Sequence, residues 1–231
     1  MKITFDLERD RVVFRVAQYD PRYEDVLKAC FYAKENDSYI KRFPGDLPHL
    51  PAIQANYARH VEEMLSQLAR FSPTGWQDAL LAFARRMEGG GIFWWLTGSC
   101  AACVHGVPLE PHDVDIMIRS TDVNAVADLF SDCIIEPIID TGGWVTRHFG
   151  VVFLHARIDI AADPQPCLDE PEPADCGPYA LARLQTVMWK GHAIRVPPLE
   201  LLVAVNRRRG REERAQLIEE HLRKGLSEAQ K

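Results

Sequence analysis

No apolar run in this 231-residue chain reaches the roughly 18–20 residues that a membrane-spanning helix needs. The N-terminus, MKITFDLERDRVV, alternates apolar and charged residues and lacks the continuous apolar core of a signal peptide. No membrane association is expected, and the cytoplasm is the expected compartment. Positive charge is also in short supply, with 27 Lys and Arg against 33 Asp and Glu, a net charge of −6. That argues against bulk attraction to long nucleic acid or to an anionic bilayer, while leaving room for a local basic patch. Internal repeats are missing. So are Cys/His pairs at zinc-finger or ribbon spacing: Cys30, Cys100, Cys103, Cys133, Cys167 and Cys176 are scattered, as small buried residues in a reducing compartment would be.

What remains is a globular composition, 47% hydrophobic and 26% charged, long enough for one core with an appendage or for two small domains. KITFDL and VVFRVA flank a charged turn and predict a hairpin. In DPRYEDVLKACFYAKE, Asp20 is the expected N-cap and Pro21 the first helical residue. A Pro-rich loop, RFPGDLPHLP, precedes a second helix with Ile53, Tyr57, Val61, Met64, Leu68 and Phe71 on one face. Asp6 and Glu8 imitate a carboxylate pair but read as a solvated strand end. Residues 1–72 therefore form an accessory segment without a chemical cluster, and 73–231 form the expected main domain.

In the second part, Thr74 and Gln77 predict a capping box for a helix with Trp76, Leu80, Phe83 and Met87 inward, ended by Gly89–Gly91. IFWWL predicts a short buried strand, SCAACVHG a short helix, VDIMI a strand, and DVNAVADLF a helix capped by Ser120 or Thr121. CIIEPII, WVTRHF and VVFLHARIDIAA predict strands, the first of them pairing as a meander. A Pro- and acid-rich loop, a hairpin over LQTVMWKGHAIRV and two terminal helices complete the chain. The expected class is α+β: a mixed sheet flanked by helices, with a small N-terminal α/β appendage and C-terminal helices.

The chemistry concentrates in WLTGSCAACVHGVPLEPHDVDIMI. Asp113 and Asp115 are two apart in an apolar strand, so their side chains share a face. Two such carboxylates repel unless a cation lies between them, and Mg²⁺ with oxygen ligands is the economical partner. Gly98 and Ser99 stand where a strand turns into a helix, a place that lets backbone N–H groups approach a phosphate. Other readings of the stretch are weaker. Cys100 and Cys103 sit at i and i+3 of a helix, His105 and His112 have no companion ligand pair, and TGSCA is not a nucleophile elbow.

Hydrophobic-Gly-Ser followed by Asp-hydrophobic-Asp-hydrophobic, here L-T-G-S…D-V-D-I, resembles the signature of the DNA polymerase β-type nucleotidyltransferase superfamily. LTGSCAACVHGV is similar to its small bacterial members, which include antibiotic nucleotidyltransferases and abortive-infection toxins. The resemblance covers roughly 75–231. It implies a nucleotidyltransferase-like sheet and a third acid on a later strand, for which Asp159 in HARIDIAAD stands ahead of Asp163. It implies two Mg²⁺ ions on Asp113, Asp115 and Asp159, and an NTP as co-substrate with its phosphates at Gly98 and Ser99. Where many relatives carry a lysine, IRVPPLELLVAVNRRRGRE has Asn206 and then arginines, so Asn206, Arg207 and Arg211 are the expected triphosphate contacts.

The activity so implied is transfer of an NMP to a hydroxyl of a small molecule, a protein or a tRNA. Long nucleic acid is disfavoured by charge, although NRRRGR offers a local basic patch, and a protein partner is expected, if anywhere, at the N-terminal segment. The competing expectation is a catalytically silent nucleotide-binding module, or a toxin–antitoxin component, on the same fold.

Overall fold

The computed structural model describes residues 1–229, with side chains described up to residue 225. The chain opens on β1 (Lys2–Glu8) and β2 (Arg11–Ala17), the expected hairpin. Asp20 caps a single 3₁₀ turn by accepting the Arg22 N–H at 2.9 Å, and α1 (Glu24–Ala29) follows. The expected helix over 20–35 ends early because Phe31 adopts a left-handed backbone (φ 64°), the Tyr32 N–H returning to the Leu27 carbonyl. Two strands then appear that the sequence patterning did not suggest, β3 (Ala33–Glu35) and β4 (Ser38–Pro44). β4 runs into the expected Pro-rich loop and is a central strand, since the N-terminal sheet has the order β1-β2-β4-β3. Pro44 is tolerated because it is the last residue of the strand.

α2 (Leu50–Leu68) buries Ile53, Tyr57, Val61 and Met64 as the spacing predicts, while Phe71 falls beyond its end and is exposed. α3 (Trp76–Met87) starts on Gly75 with no side-chain cap; the expected Thr74–Gln77 box is not formed, and Gln77 instead accepts from Lys190. β5 (Trp94–Thr97), α4 (Gly98–Val104) and β6 (Val114–Ile118) follow. Ser120–Asp122 is a 3₁₀ turn, so neither Ser120 nor Thr121 caps α5 (Val123–Leu129).

The meander is β7 (Ile134–Asp140), β8 (Thr146–Leu154) and β9 (Ala156–Pro164). The expected break inside β8 does not occur. Gly150 lies within the strand because β7 crosses so closely that a Cβ there would stand 2.6 Å from the Ile138 Cα; the chain turns instead at His155, φ 61°. A short α6 (Pro178–Leu181), the hairpin of β10 (Gln185–Trp189) and β11 (His192–Val196), and helices α7 (Leu199–Arg208) and α8 (Glu212–Ala229) complete the fold.

The five-stranded sheet has the order β5-β6-β9-β8-β7, with β6 and β9 parallel and the other pairs antiparallel. The class is α+β, a mixed sheet flanked by helices, as expected. Among the described residues, no helix is long and apolar enough to cross a membrane. Alternation splits the sheet: Trp94, Leu96, Ile116, Ile158 and Ile160 join the main core, whereas Trp95 and Met117 meet Ala174 and Cys176 in a smaller cluster on the other face.

The N-terminal sheet is tied to β7 by a polar knot in that core. Glu136 accepts from Lys41 at 2.6 Å and from the Tyr32 hydroxyl at 3.0 Å, and the Tyr32 and Tyr57 hydroxyls lie 2.8 Å apart. Lys41 and Glu136 side chains are 12% and 3% exposed. Lys41→Met leaves a buried carboxylate without its cation and is expected to destabilise the chain by about 2 kcal/mol, less than for a fully buried pair because water reaches the lysine. Urea unfolding of the two proteins measures it, and an unchanged midpoint would remove the knot from the account of how the two sheets are joined.

Candidate functional site

Strand register assembles the acids. Thr97 pairs with Asp115 across the antiparallel β5–β6 ladder, and Asp115 pairs with Asp159 across the parallel β6–β9 ladder. The three residues therefore lie in one row on the face that carries Trp95 and Met117. Asp113 precedes β6 by one residue and shares that face. One carboxylate oxygen from each of Asp113, Asp115 and Asp159 lies within 4.8 Å of the others, the group of metal-holding geometry found among the described residues. Asp163, the rival third acid, has φ 52° near the end of β9 and stands outside this group.

Three acids this close are electrostatically strained. Burial, then Asp113, Asp159 and Asp175, push Asp115 well above the usual carboxylate range. Burial pushes Asp159 up to about 6 against the opposing pull of Arg157. Arg157, two residues earlier on the same face and buried, grips Asp159 with Nε at 2.5 Å and Nη2 at 3.2 Å, and its Nη1 reaches Cys30 Sγ at 3.3 Å. An oxygen-only donor set with surplus negative charge fits a hard divalent cation such as Mg²⁺.

Gly98 has φ +66°, and a Cβ added there would lie 2.2 Å from Asp115 Oδ2. Only glycine lets the β5–α4 turn pass over the central carboxylate. The Gly98 N–H is itself engaged: it donates to Oδ2 of Asp175 at 3.2 Å. Asp175 is buried, its carbonyl accepts from the Thr97 hydroxyl at 3.0 Å, and Arg209 Nη2 stands 3.9 Å from its Oδ1. A carboxylate from the loop after β9 thus occupies the Gly98 amide, directly before the N–H groups expected to meet a phosphate. Ser99 is half-buried on the first turn of α4.

The remaining candidates separate. Asn206 donates to the Leu202 carbonyl at 2.8 Å inside α7, and Arg207 pairs with Glu212 and Glu219 of α8 at 3.4 and 2.8 Å. Arg211 is exposed at the α7–α8 junction, near His112 and Arg214. Cys100 and Cys103 lie on α4 with their thiols on the carbonyls of Asp113 and Leu109, and burial raises both pKa values. His105 contacts the Pro197 carbonyl. Asp6 and Glu8 pair with Arg15 and Arg42 on the N-terminal sheet.

Three neighbours of the acids were not anticipated. Arg157 was legible by the same period of two that joins Asp113 to Asp115. Arg209 lies in a flagged basic run whose phase depends on where α7 stops. Asp175 carries no local signal, because its loop is placed by long-range packing. A cavity of about 220 Å³ borders Asp113, Arg157 and Asp159, and its walls include Cys30 and Phe31 from the N-terminal segment and Trp144 and Phe149 from the meander.

No family model matches this sequence. No curated protein matches it either. Among solved structures, the chain is similar to a "putative nucleotidyltransferase" from Thermotoga maritima, at 26% identity over 65% of this chain and 91% of that one, with a TM-score of 0.48.

Proposed function

We propose that the chain is an Mg²⁺-dependent nucleotidyltransferase, moving an NMP from an NTP to a hydroxyl of an acceptor. One observation carries this reading: three carboxylates held within 4.8 Å, two of them paired in register on parallel strands, with a glycine turn pressed against the central one. Holding three like charges this close together is costly unless a cation neutralises them. Asp113, Asp115 and Asp159 would hold the metal, which when bound supplies neutralising charge for the triphosphate and the attacking oxygen.

The protein's own residues then orient and exchange groups. The acceptor oxygen bonds to the α-phosphorus, the bond from that phosphorus to the bridging oxygen breaks, and pyrophosphate leaves. Asp159 would accept the hydroxyl proton. Gly98 and Ser99 are the phosphate contacts of this reading, and the Asp175 carboxylate must leave the Gly98 N–H for a phosphate to take it. Arg209, beside Asp175, is better placed for anionic oxygens than Asn206 and Arg207, whose side chains are occupied within the helices.

A second reading has its own support. Arg157 already neutralises Asp159, and Asp175 already fills the Gly98 amide, as in a fold that binds nucleotide without turnover. Calorimetric titration with Mg²⁺ and each NTP, followed by pyrophosphate release across acceptor pools, separates the two. Binding with release is the expected result. Binding without release from any pool would favour the silent module, and no Mg-NTP binding at all would sink both.

A further inference from the structure

A second cavity, of about 440 Å³, opens beside the carboxylates between the end of α2 and the segments 71–76 and 109–112. Gln67, Arg70, Ser72, Thr74 and His112 supply its polar lining, with Glu110 also on its wall. The metal-site reading makes no use of it. His112 borders this cavity and also the smaller one at Asp113 and Asp159, so the two adjoin at that side chain.

The inner end of the cavity is cationic. Arg70 Nη2 donates to His112 Nε2 at 2.6 Å, which leaves the ring proton on Nδ1. Arg211 and Arg214 stand within electrostatic reach of the same imidazole. Burial, then Arg211 and Arg70, depress the pKa of Arg214, with Asp113 opposing. Among the described residues, Arg70, Arg211 and Arg214 form no ion pair with any carboxylate. Guanidinium groups remain charged, so this repulsion persists until an anion enters.

A second, independent feature points to the same space. Gln67 is 5% exposed, and its Nε2 donates to the His155 carbonyl at 2.8 Å. Its buried Oε1 has no partner. An orphaned buried acceptor on a cavity wall calls for a ligand that donates a hydrogen bond.

We propose that this cavity is the acceptor pocket and that it takes a small phosphomonoester bearing hydroxyl groups. The phosphate lies against Arg70 and the His112 Nδ1–H with Arg211 and Arg214 behind them, in the geometry guanidinium groups offer to phosphate oxygens. One ligand hydroxyl donates to Gln67 Oε1. Another, directed past His112 toward Asp113 and Asp159, is the oxygen that bonds to the α-phosphorus as pyrophosphate leaves and its proton passes to Asp159. The acceptor role rests on the nucleotidyl-transfer reading; phosphate binding in the cavity does not.

Calorimetry on the full chain without metal tests it, with ribose 5-phosphate, inorganic phosphate and ribose as probes. Ribose 5-phosphate is expected to saturate the site and bind more tightly than inorganic phosphate, and ribose should not bind. Arg70→Gln and Arg214→Gln should each weaken ribose 5-phosphate about tenfold or more, while Arg70→Lys, which keeps the charge, stays within about threefold. Mg-NTP affinity should stay within about twofold in all three variants. Absence of saturable ribose 5-phosphate binding would overturn the proposal, as would variants with unchanged affinity. It is equally overturned if Arg70→Gln weakens Mg-NTP as much as ribose 5-phosphate, since the cationic end then serves the nucleotide's own phosphates. Intact Mg-NTP binding beside a failed sugar phosphate condemns this inference alone, and the converse result condemns the transferase reading while the phosphate site stands.

Discussion

Asp115→Asn is expected to lower pyrophosphate release by about 10²–10³ or more, and at the same time to make the metal-free chain more stable. The two effects have one cause. Asp115 is the central acid of the row, pushed upward by burial and by Asp113, Asp159 and Asp175, with Arg209 the opposing charge. Asparagine keeps the shape and removes the charge, so in chelator at pH 7.5 it should gain about 1–3 kcal/mol of unfolding free energy. The pH dependence fixes the sign. Asp159 ionises near 6 in the folded chain against an ordinary value of 3.8, so between those values the native state binds more protons than the unfolded one. Its contribution to stability therefore falls as pH rises from about 4 to about 6, and Asp115, also raised, adds to the fall. Mg²⁺ should reverse that loss in the natural chain and do little for the variant. Thermal melts at pH 5 and 7.5, each in chelator and in Mg²⁺, read all of this. A variant less stable than the natural chain in chelator would mean that the acids are already satisfied, and the metal-site argument would fail.

The same row shows what a strand pattern reveals and what it hides. Asp113 and Asp115 were legible because a period of two places both on one face of an otherwise apolar strand; Asp159 was expected only from the family resemblance, and register brings it beside Asp115. Arg157 obeys the same rule, but a base beside an acid on a strand face carries no metal-ligand signal of its own. The polar plug on Gly98 was hidden for another reason: Asp175 lies in a loop whose composition reads as solvated, although Ala174 and Cys176 on either side pack under Trp95. Chain reversals were missed where they use left-handed residues other than glycine. Phe31, Arg70 and His155 all have positive φ, and none carries a local turn signal. β4 was obscured because its final Pro44 begins a Pro-rich run, so a central strand of the N-terminal sheet looked like the start of a loop.

Gly98→Ala is expected to be among the most damaging single-methyl additions in the chain. The new Cβ would stand 2.2 Å from Asp115 Oδ2 and 3.1 Å from its Cγ, in a backbone conformation with φ +66°. The left-handed conformation alone costs about 1–2 kcal/mol for alanine. The clash adds more, because Asp115 is held on both sides by β5 and β9 and has little room to move. A total of about 3–5 kcal/mol follows, with Mg²⁺ affinity reduced as the central carboxylate is driven out of line with Asp159. Loss of stability by itself would not identify the clash, so the decisive measurement is a double-mutant cycle with Asp115→Ala. Alanine at 115 keeps only the Cβ, 3.5 Å from the added methyl and in ordinary contact, so Gly98→Ala made in that background should cost no more than the backbone conformation demands. The expected coupling is about 2 kcal/mol, favourable in the double variant. Additive effects in urea unfolding would show that Gly98 is required for its backbone alone, and the close approach between the β5–α4 turn and the central carboxylate would no longer explain why glycine stands there.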